Sequence, residues 1–165
     1  MTHRLRSEDL GFLARAPVRQ TCTRDLHTSA DLLFERLAAR PQDWPRWLGF
    51  ARECQYQGAP PFGIGTMRNL RVTGRLRFQE AVIAWDPGER FAYRVEETNV
   101  PGITAMMEEW SLTPLSRTRT RVSWTMAADG PRPVRLMMRA GRSRVDKTFG
   151  KSMRRLDRMP RLPRL

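Results

Sequence analysis

The chain has 165 residues, of which 40% are hydrophobic and 28% are charged, and its formal net charge is +13. A chain of this length fits one domain and buries roughly 70% of the surface that its unfolded form exposes. No stretch approaches the roughly 20 apolar residues of a membrane span, and the first residues lack the apolar run of a secretory signal. We therefore expect a single cytoplasmic domain over 1–165, either a monomer or a homodimer.

The positive charge is concentrated at one end of the chain. Residues 131–165 contain twelve Lys and Arg against Asp146 and Asp157, a net charge of +10 that leaves only +3 for the first 130 residues. A basic helix and tail favour a partner on one face, such as an anionic membrane surface; nucleic acid is the less favoured partner. The alternative interpretation is a solvated, arginine-rich helix face with no partner.

Several common kinds of site have no basis in this sequence. Cys22 and Cys54 are the only cysteines, neither lies in a CxxC motif, and both are expected to be reduced core thiols. His3 and His27 are the only histidines, and no His-based metal site or Ser-His triad can be built from them. GIGTMR at 63–68 reads as the entry to a strand rather than a dinucleotide motif. The sequence therefore predicts neither a metal nor a cofactor.

The predicted elements begin with a strand over 18–26, which shows rough alternation of apolar and polar residues. Thr28 and Ser29 then supply an N-cap for a helix that ends near Ala39, and a short helical turn follows between Pro41 and Pro45. Alternation predicts six further strands, at 50–57, 63–72, 76–85, 90–98, 105–113 and 118–127.

One long helix closes the predicted fold. Apolar residues recur there at steps of three or four: Val134, Met138, Gly141, Val145, Phe149, Met153 and Leu156. Strands joined by short turns make an antiparallel sheet, so the class is α+β, with this helix as the lid of a curved sheet and a ligand space beneath it. The folded core is expected over about 12–158, followed by a frayed basic tail over 159–165.

Apolar matching fixes the register of the hairpin that turns at 73–75. A three-residue loop there puts apolar residues opposite each other at every rung except one, where Arg68 faces Glu80. A two-residue loop would split the apolar set. On the next strand, the same face is expected to place Val95 beside Glu80, Tyr93 beside Val82 and Phe91 beside Ala84.

A carboxylate on an apolar face costs several kcal/mol to desolvate and therefore needs a partner, which an arginine supplies. The pair of Arg68 and Glu80 is either purely structural or functional. In the functional interpretation it grips a ligand carbonyl or carboxylate, or it holds a proton donor in place. These two residues are the candidate catalytic groups.

Alternation also predicts the walls of the ligand space. Glu108 and Trp110 share one strand face, Trp124 and Met126 share another, and Val145 and Phe149 face them from the helix. The aromatic residues can equally serve as core fillers. The candidate ligand-binding residues are Phe78, Tyr93, Glu108, Trp110, Trp124, Val145 and Phe149.

Several segments together resemble a known superfamily. They are SADLLFERLA, the Trp pair in QDWPRWLGF, GIGTMR with Arg68, FQEAV with Glu80, WDPGERFAYRV, EWSLTP followed by TRVSW, and the closing helix. In order and spacing, residues 12–158 resemble the START-like, Bet v 1-like helix-grip superfamily, and within it the polyketide cyclase/dehydrase-like (SRPBCC) bacterial members. The resemblance implies a seven-stranded antiparallel sheet wrapped around a long C-terminal helix, with two short helices between strands 1 and 2 and a hydrophobic cavity.

Proteins of this superfamily bind lipids, sterols, polyketides, quinones or plant hormones, and some cyclise polyketide chains. The resemblance therefore implies binding of a hydrophobic or polycyclic molecule, with cyclase/dehydrase activity as an open question. The first alternative is a lipid or quinone carrier that docks on anionic membranes through its basic C-terminal helix. The second is a module that interacts with the ribosome or RNA. The chain departs from a typical member in its twelve basic residues after Pro131.

Overall fold

The structure, a computed structural model, describes residues 1–160. Within this range the chain forms eight strands and five α-helices. The strands are β1 His3–Arg4, β2 Val18–Leu26, β3 Ala51–Tyr56, β4 Met67–Val72, β5 Arg77–Asp86, β6 Arg90–Thr98, β7 Ala105–Ser116 and β8 Arg119–Asp129. The helices are α1 Phe12–Arg15, α2 Ala30–Phe34, α3 Trp44–Trp47, α4 Arg132–Ala140 and α5 Arg142–Asp157.

Seven strands form one curled antiparallel sheet in the order β2-β8-β7-β6-β5-β4-β3, and the two-residue β1 pairs with the end of β6. The predicted α+β fold is confirmed. Its two intermediate helices are shorter than expected, because α2 passes into a π-helical turn at Glu35–Ala39 and a 3₁₀ turn at Pro41–Asp43 precedes α3. The main core lies on the concave face, where α2, α3 and α5 pack against the sheet.

The N-terminal arm was not predicted. Phe12 and Leu13 of α1 form a second apolar cluster with Ala105, Met107 and Ala127. The neighbours of these three sheet residues along β7 and β8 point to the concave face, so the three residues themselves point to the convex face. The arm therefore covers the convex face of β7 and β8. Such short elements carry no periodic signal, which explains why sequence patterns missed them.

The hairpin of β4 and β5 has the predicted register. Arg68 pairs with Glu80 and Leu70 pairs with Phe78, on either side of a turn at Thr73–Arg75. The predicted strand from residue 63 is too long, since β4 begins at Met67. Between β5 and β6, the predicted partners Val95 of Glu80 and Tyr93 of Val82 are correct, but Phe91 is not the partner of Ala84. A bulge between Val82 and Ala84 places Ala92 opposite Ala84.

The predicted single helix over 134–156 is divided at Gly141 into α4 and α5. None of the residues of α4 is buried, whereas Phe149, Met153 and Leu156 of α5 enter the core. The apolar stripe is therefore buried only in its second half. Four of the basic residues of α5 are exposed to solvent: Arg142, Arg144, Lys151 and Arg155.

The end of α5 is anchored by a buried arginine. The Arg36 guanidinium donates hydrogen bonds to the carbonyl oxygens of Leu156, Met159 and Pro160 at 2.9, 3.0 and 3.0 Å. The predicted frayed tail thus starts too early, because residues 159 and 160 are held by this contact; residues 161–165 lie outside the described range. No helix within residues 1–160 is long and apolar enough to cross a membrane.

Candidate ligand-binding cavity

A cavity of about 440 Å³ lies between the concave face of the sheet and α5. Most of its wall is apolar, and Glu80 and Glu108 bring two carboxyl groups to it. Phe50, Thr73 and Arg144 are exposed as well as cavity-lining and therefore mark its rim. The other lining residues are Trp44, Leu48, Leu70, Val72, Leu76, Phe78, Met106, Trp110, Trp124, Met126, Val145, Thr148, Phe149 and Ser152.

Most of the residues predicted to bind a ligand line this cavity. They are Phe78, Glu108, Trp110, Trp124, Val145 and Phe149, together with Glu80 from the predicted catalytic pair. Tyr93 and Arg68 do not border the cavity; both lie behind its wall, with 1% and 0% of their surface exposed. The strand face of these two residues was predicted correctly, but neighbouring side chains cover them.

Arg68 and Glu80 form a buried ion pair at the predicted rung. The Arg68 Nε donates a hydrogen bond to Glu80 Oε2 at 2.6 Å, and Nη2 also lies 2.6 Å from that oxygen. The Glu80 side chain is only 3% exposed, and it separates the arginine from the cavity. The predicted pairing is therefore confirmed in its geometry, while its role in binding or catalysis stays a prediction.

Aromatic rings surround the Arg68 guanidinium. Its central carbon lies 4.2 Å from the Trp44 ring centroid and 4.0 Å from that of Tyr93, with Phe91 at 5.4 Å. Neither Nη1 nor Nη2 has a hydrogen-bond partner of good geometry within the described residues. Cation–π attraction and the Glu80 charge are thus the interactions that compensate the buried cation.

Glu108 is the centre of a hydrogen-bond network in the cavity wall. Its Oε2 accepts from the Tyr93 hydroxyl at 2.5 Å and from the Trp124 indole N–H at 3.1 Å. The Trp110 indole N–H in turn donates to the Tyr93 hydroxyl oxygen at 3.2 Å. These three aromatic residues fix the position of the Glu108 carboxyl group on the cavity surface.

Burial changes the acidity of both carboxyl groups. Desolvation raises the pKa of Glu80 to about 7, although Arg68 acts in the opposite direction. Desolvation also raises the pKa of Glu108, against the effect of the hydrogen bonds from Tyr93 and Trp124. Burial and the adjacent Glu108 raise the pKa of Tyr93, so its hydroxyl keeps its proton. The cavity wall therefore contains one carboxyl group, that of Glu80, which can exchange a proton near neutral pH.

Some of the wall residues were not predicted. Met106 alternates with Glu108 and Trp110 on β7, so the same period-2 pattern could have found it. Trp44 lies on the short helix α3, and Leu48 directly follows this helix. The orientation of α3 over the sheet cannot be obtained from periodicity. Ser152 and Thr148 are polar residues on the cavity side of α5 that an apolar stripe does not reveal.

Comparison with known proteins identifies the family. The family described as "Polyketide cyclase / dehydrase and lipid transport" matches residues 17–159, which include every strand of the seven-stranded sheet. The chain belongs to this family. An uncharacterized protein of Mycobacterium tuberculosis is 33% identical over 126 residues, covering 76% of this chain and 74% of that protein.

Solved structures with low sequence identity share the fold. A START superfamily protein from Mycobacterium smegmatis has a TM-score of 0.62 at 17% identity, covering 84% of this chain and 90% of its own. The Zhui aromatase/cyclase from Streptomyces has a TM-score of 0.66 at 17% identity, with the same coverage of 84% and 90%. A major latex-like protein from Panax ginseng reaches 0.67 at 11% identity, covering 85% and 95%. The chain thus has a START-like, helix-grip fold.

Proposed function

We propose that this polyketide cyclase/dehydrase family protein binds a hydrophobic small molecule in the cavity between its sheet and α5. The observation that carries the proposal is an apolar cavity of about 440 Å³ with two carboxyl groups on its inner wall. Apolar pockets with a few fixed polar groups are typical of small-molecule sites. The polar groups favour a ligand with a carbonyl or hydroxyl oxygen, of the polyketide, lipid or sterol kind.

A catalytic role for Arg68 and Glu80 forms part of this proposal. Glu80 faces the cavity, and its raised pKa of about 7 suits a group that gives or takes a proton near neutral pH. Arg68 touches Glu80 rather than the cavity, so it acts as a positioning residue that holds the carboxyl group. Cyclase or dehydrase chemistry would use Glu80 as the acid or base on a bound carbonyl compound.

Native mass spectrometry of the protein purified from its own host tests the binding proposal. We expect a co-purifying hydrophobic molecule that is lost in Val145→Trp, because Val145 lines the cavity and a larger side chain fills it. Lys147→Trp is the matched control, since Lys147 is exposed on the same helix. Retention of the molecule in both variants, or loss in both, would contradict binding in this cavity.

Membrane docking is a second candidate function, and α4 supports it. Leu136 and Met137 are 55% and 67% exposed on this helix. Arg132 and Arg139 flank them, and the first turn contains no acidic residue. Exposed apolar side chains beside arginines suit the interface of an anionic bilayer. The proposed role is a carrier that releases a lipid or quinone at such a surface; interaction with RNA stays an untested alternative.

Vesicle sedimentation separates the carrier from a protein that only binds its ligand. We expect adsorption to vesicles of phosphatidylcholine with phosphatidylglycerol, weak adsorption to phosphatidylcholine alone, and a loss in the double variant Leu136→Ala, Met137→Ala. Leu115→Ala, at an exposed position of β7, is the control and should adsorb normally. Equal adsorption of both variants would show that α4 is not the docking element.

A further inference from the structure

A cleft of about 350 Å³ opens on the surface at the turn between β4 and β5. Val72, Thr73 and Leu76 line both this cleft and the ligand cavity, so the two spaces adjoin at the turn, where the exposed Thr73 marks the cavity rim. The cleft has no acidic lining residue. Its charged lining residues are Arg52, Arg71, Arg75 and Arg77.

The arginines of this cleft repel each other. Arg71 and Arg77 are direct cross-strand partners, and like charges in that position destabilise a sheet. Within residues 1–160, one salt bridge partly neutralises the positive charge of these arginines: Arg71 Nη2 lies 2.6 Å from Glu53 Oε2. Arg52 and Arg77 remain exposed and have no carboxylate within salt-bridge distance among the described residues. The fold itself therefore gains little from this concentration of charge.

The turn holds Arg75 in an uncommon backbone conformation. Arg75 has φ of 62°, in the left-handed region that non-glycine residues rarely adopt, directly after Gly74 with φ of 75°. Asn99 fixes the conformation, because its Nδ2 donates to the Arg75 carbonyl at 3.0 Å and its Oδ1 accepts from the Arg77 N–H at 2.8 Å. Strained residues of this kind cluster at ligand-binding positions.

We infer that this arginine cleft binds an anionic group, a phosphate or carboxylate, at the outer end of the molecule whose apolar part occupies the cavity. The inference rests on the proposed function, since it needs an apolar ligand in the cavity. Arginine guanidinium groups bind phosphate and carboxylate oxygens with paired, charge-assisted hydrogen bonds. A bound anion would also remove the repulsion between Arg71 and Arg77. The ligand class is then an amphiphile with one anionic end.

Two probes with the same alkyl chain test the inference by titration calorimetry: dodecanol and dodecyl phosphate. We expect dodecyl phosphate to bind about tenfold more tightly than dodecanol, the scale of a charge-assisted contact. Arg75→Gln and Arg77→Gln should each remove most of this preference and leave dodecanol binding unchanged. Arg117→Gln, which removes an exposed arginine at the distant turn between β7 and β8, should keep the preference.

The outcomes separate this inference from the proposed function. If dodecanol binds and dodecyl phosphate gains nothing, or if Arg117→Gln lowers the preference as much as Arg75→Gln, the arginine cleft is not an anion site. If neither probe binds, the cavity proposal fails and the inference fails with it. If inorganic phosphate competes with dodecyl phosphate, the cleft also binds free anions. If dodecyl phosphate binds tightly and inorganic phosphate does not compete, the anion must be attached to an apolar chain.

Discussion

Glu80 is a carboxyl group that the fold places away from water, and its protonation should control stability. Its pKa rises from an ordinary 4.5 to about 7 in the folded protein, so between these values the folded state binds more protons than the unfolded chain. The free energy of unfolding should therefore fall as pH increases from about 4.5 to 7, by roughly 3 kcal/mol at most, and then level off. Urea unfolding at several pH values measures this decline.

Glu80→Gln is the variant that identifies the group responsible. A glutamine cannot ionise, so the part of the decline that belongs to Glu80 should disappear, and the contribution of Glu108, whose pKa is also raised, should remain. Glu53→Gln changes a half-buried carboxylate outside the cavity wall and should keep the wild-type profile. An unchanged decline in Glu80→Gln would mean that another residue causes it.

Arg68 limits how far burial raises the pKa of Glu80. The charge of the arginine lowers the pKa of Glu80 and opposes the desolvation that raises it. In Arg68→Met the lower end of the stability decline should stay near pH 4.5, because it is set by the unfolded chain, whereas the upper end should move upward by about 1 to 3 units, the usual effect of removing an adjacent cation. Arg71→Met removes an exposed arginine from the same strand and serves as control. A profile that does not move would show that Arg68 and Glu80 are not electrostatically coupled.

At the scale of elements, α5 combines core packing with the cavity wall. Phe149 is nearly buried and stacks on Trp124 with ring centroids 6.0 Å apart, but one side of it borders the cavity. Phe149→Ala should cost less than the 3 to 5 kcal/mol of a tightly packed phenylalanine, and it should alter the binding of dodecanol. Met153 is 1% exposed on the same helix and does not line the cavity.

Met153→Ala is the matched comparison for Phe149→Ala. It should cost about 2 to 5 kcal/mol in urea unfolding and leave dodecanol binding nearly unchanged, because it opens a hole in the closed core. If Phe149→Ala instead costs more than Met153→Ala and binding stays constant, then Phe149 is a packing residue without a role in the cavity.

The junction of α4 and α5 gives a second prediction at this scale. Gly141 has φ of −78°, and a Cβ added there would meet only backbone oxygens at 3.6 Å. Gly141→Ala should leave the free energy of unfolding unchanged or raise it by up to about 1 kcal/mol. Gly102 has φ of 81°, and its Cβ would lie 2.7 Å from a Val134 methyl carbon, so Gly102→Ala should be destabilising. Equal thermal midpoints for the two variants would contradict this difference.

For the whole molecule, the C-terminal boundary of the fold can be located by truncation. Arg36 is 1% exposed, and its guanidinium donates to the carbonyls of Met159 and Pro160. Truncation after Pro160 should leave the thermal midpoint nearly unchanged, whereas truncation after Arg158 removes two acceptors from a buried cation and should lower the midpoint by several degrees. Equal midpoints for the two truncated proteins would show that Arg36 finds other acceptors.

The sequence by itself determined the seven strands of the curled sheet, the register of the β4–β5 hairpin and the class of the fold. These properties depend on local periodicity: alternation assigns a face to each strand residue, and one polar rung among apolar rungs fixes Arg68 opposite Glu80. The apolar stripe of α5 followed from the same kind of pattern. Six of the seven candidate ligand-binding residues line the cavity, and their role in binding stays a prediction.

Only the tertiary structure decided which of these residues reach the cavity. Tyr93 and Glu80 share a face of the sheet, yet Tyr93 lies behind the wall because Trp44 and Arg68 pack against its ring. The Arg36 contact with the end of α5 also joins residues that are distant in the chain. Periodicity gives the direction of a side chain, whereas the space around it is set by long-range packing, which no local pattern contains.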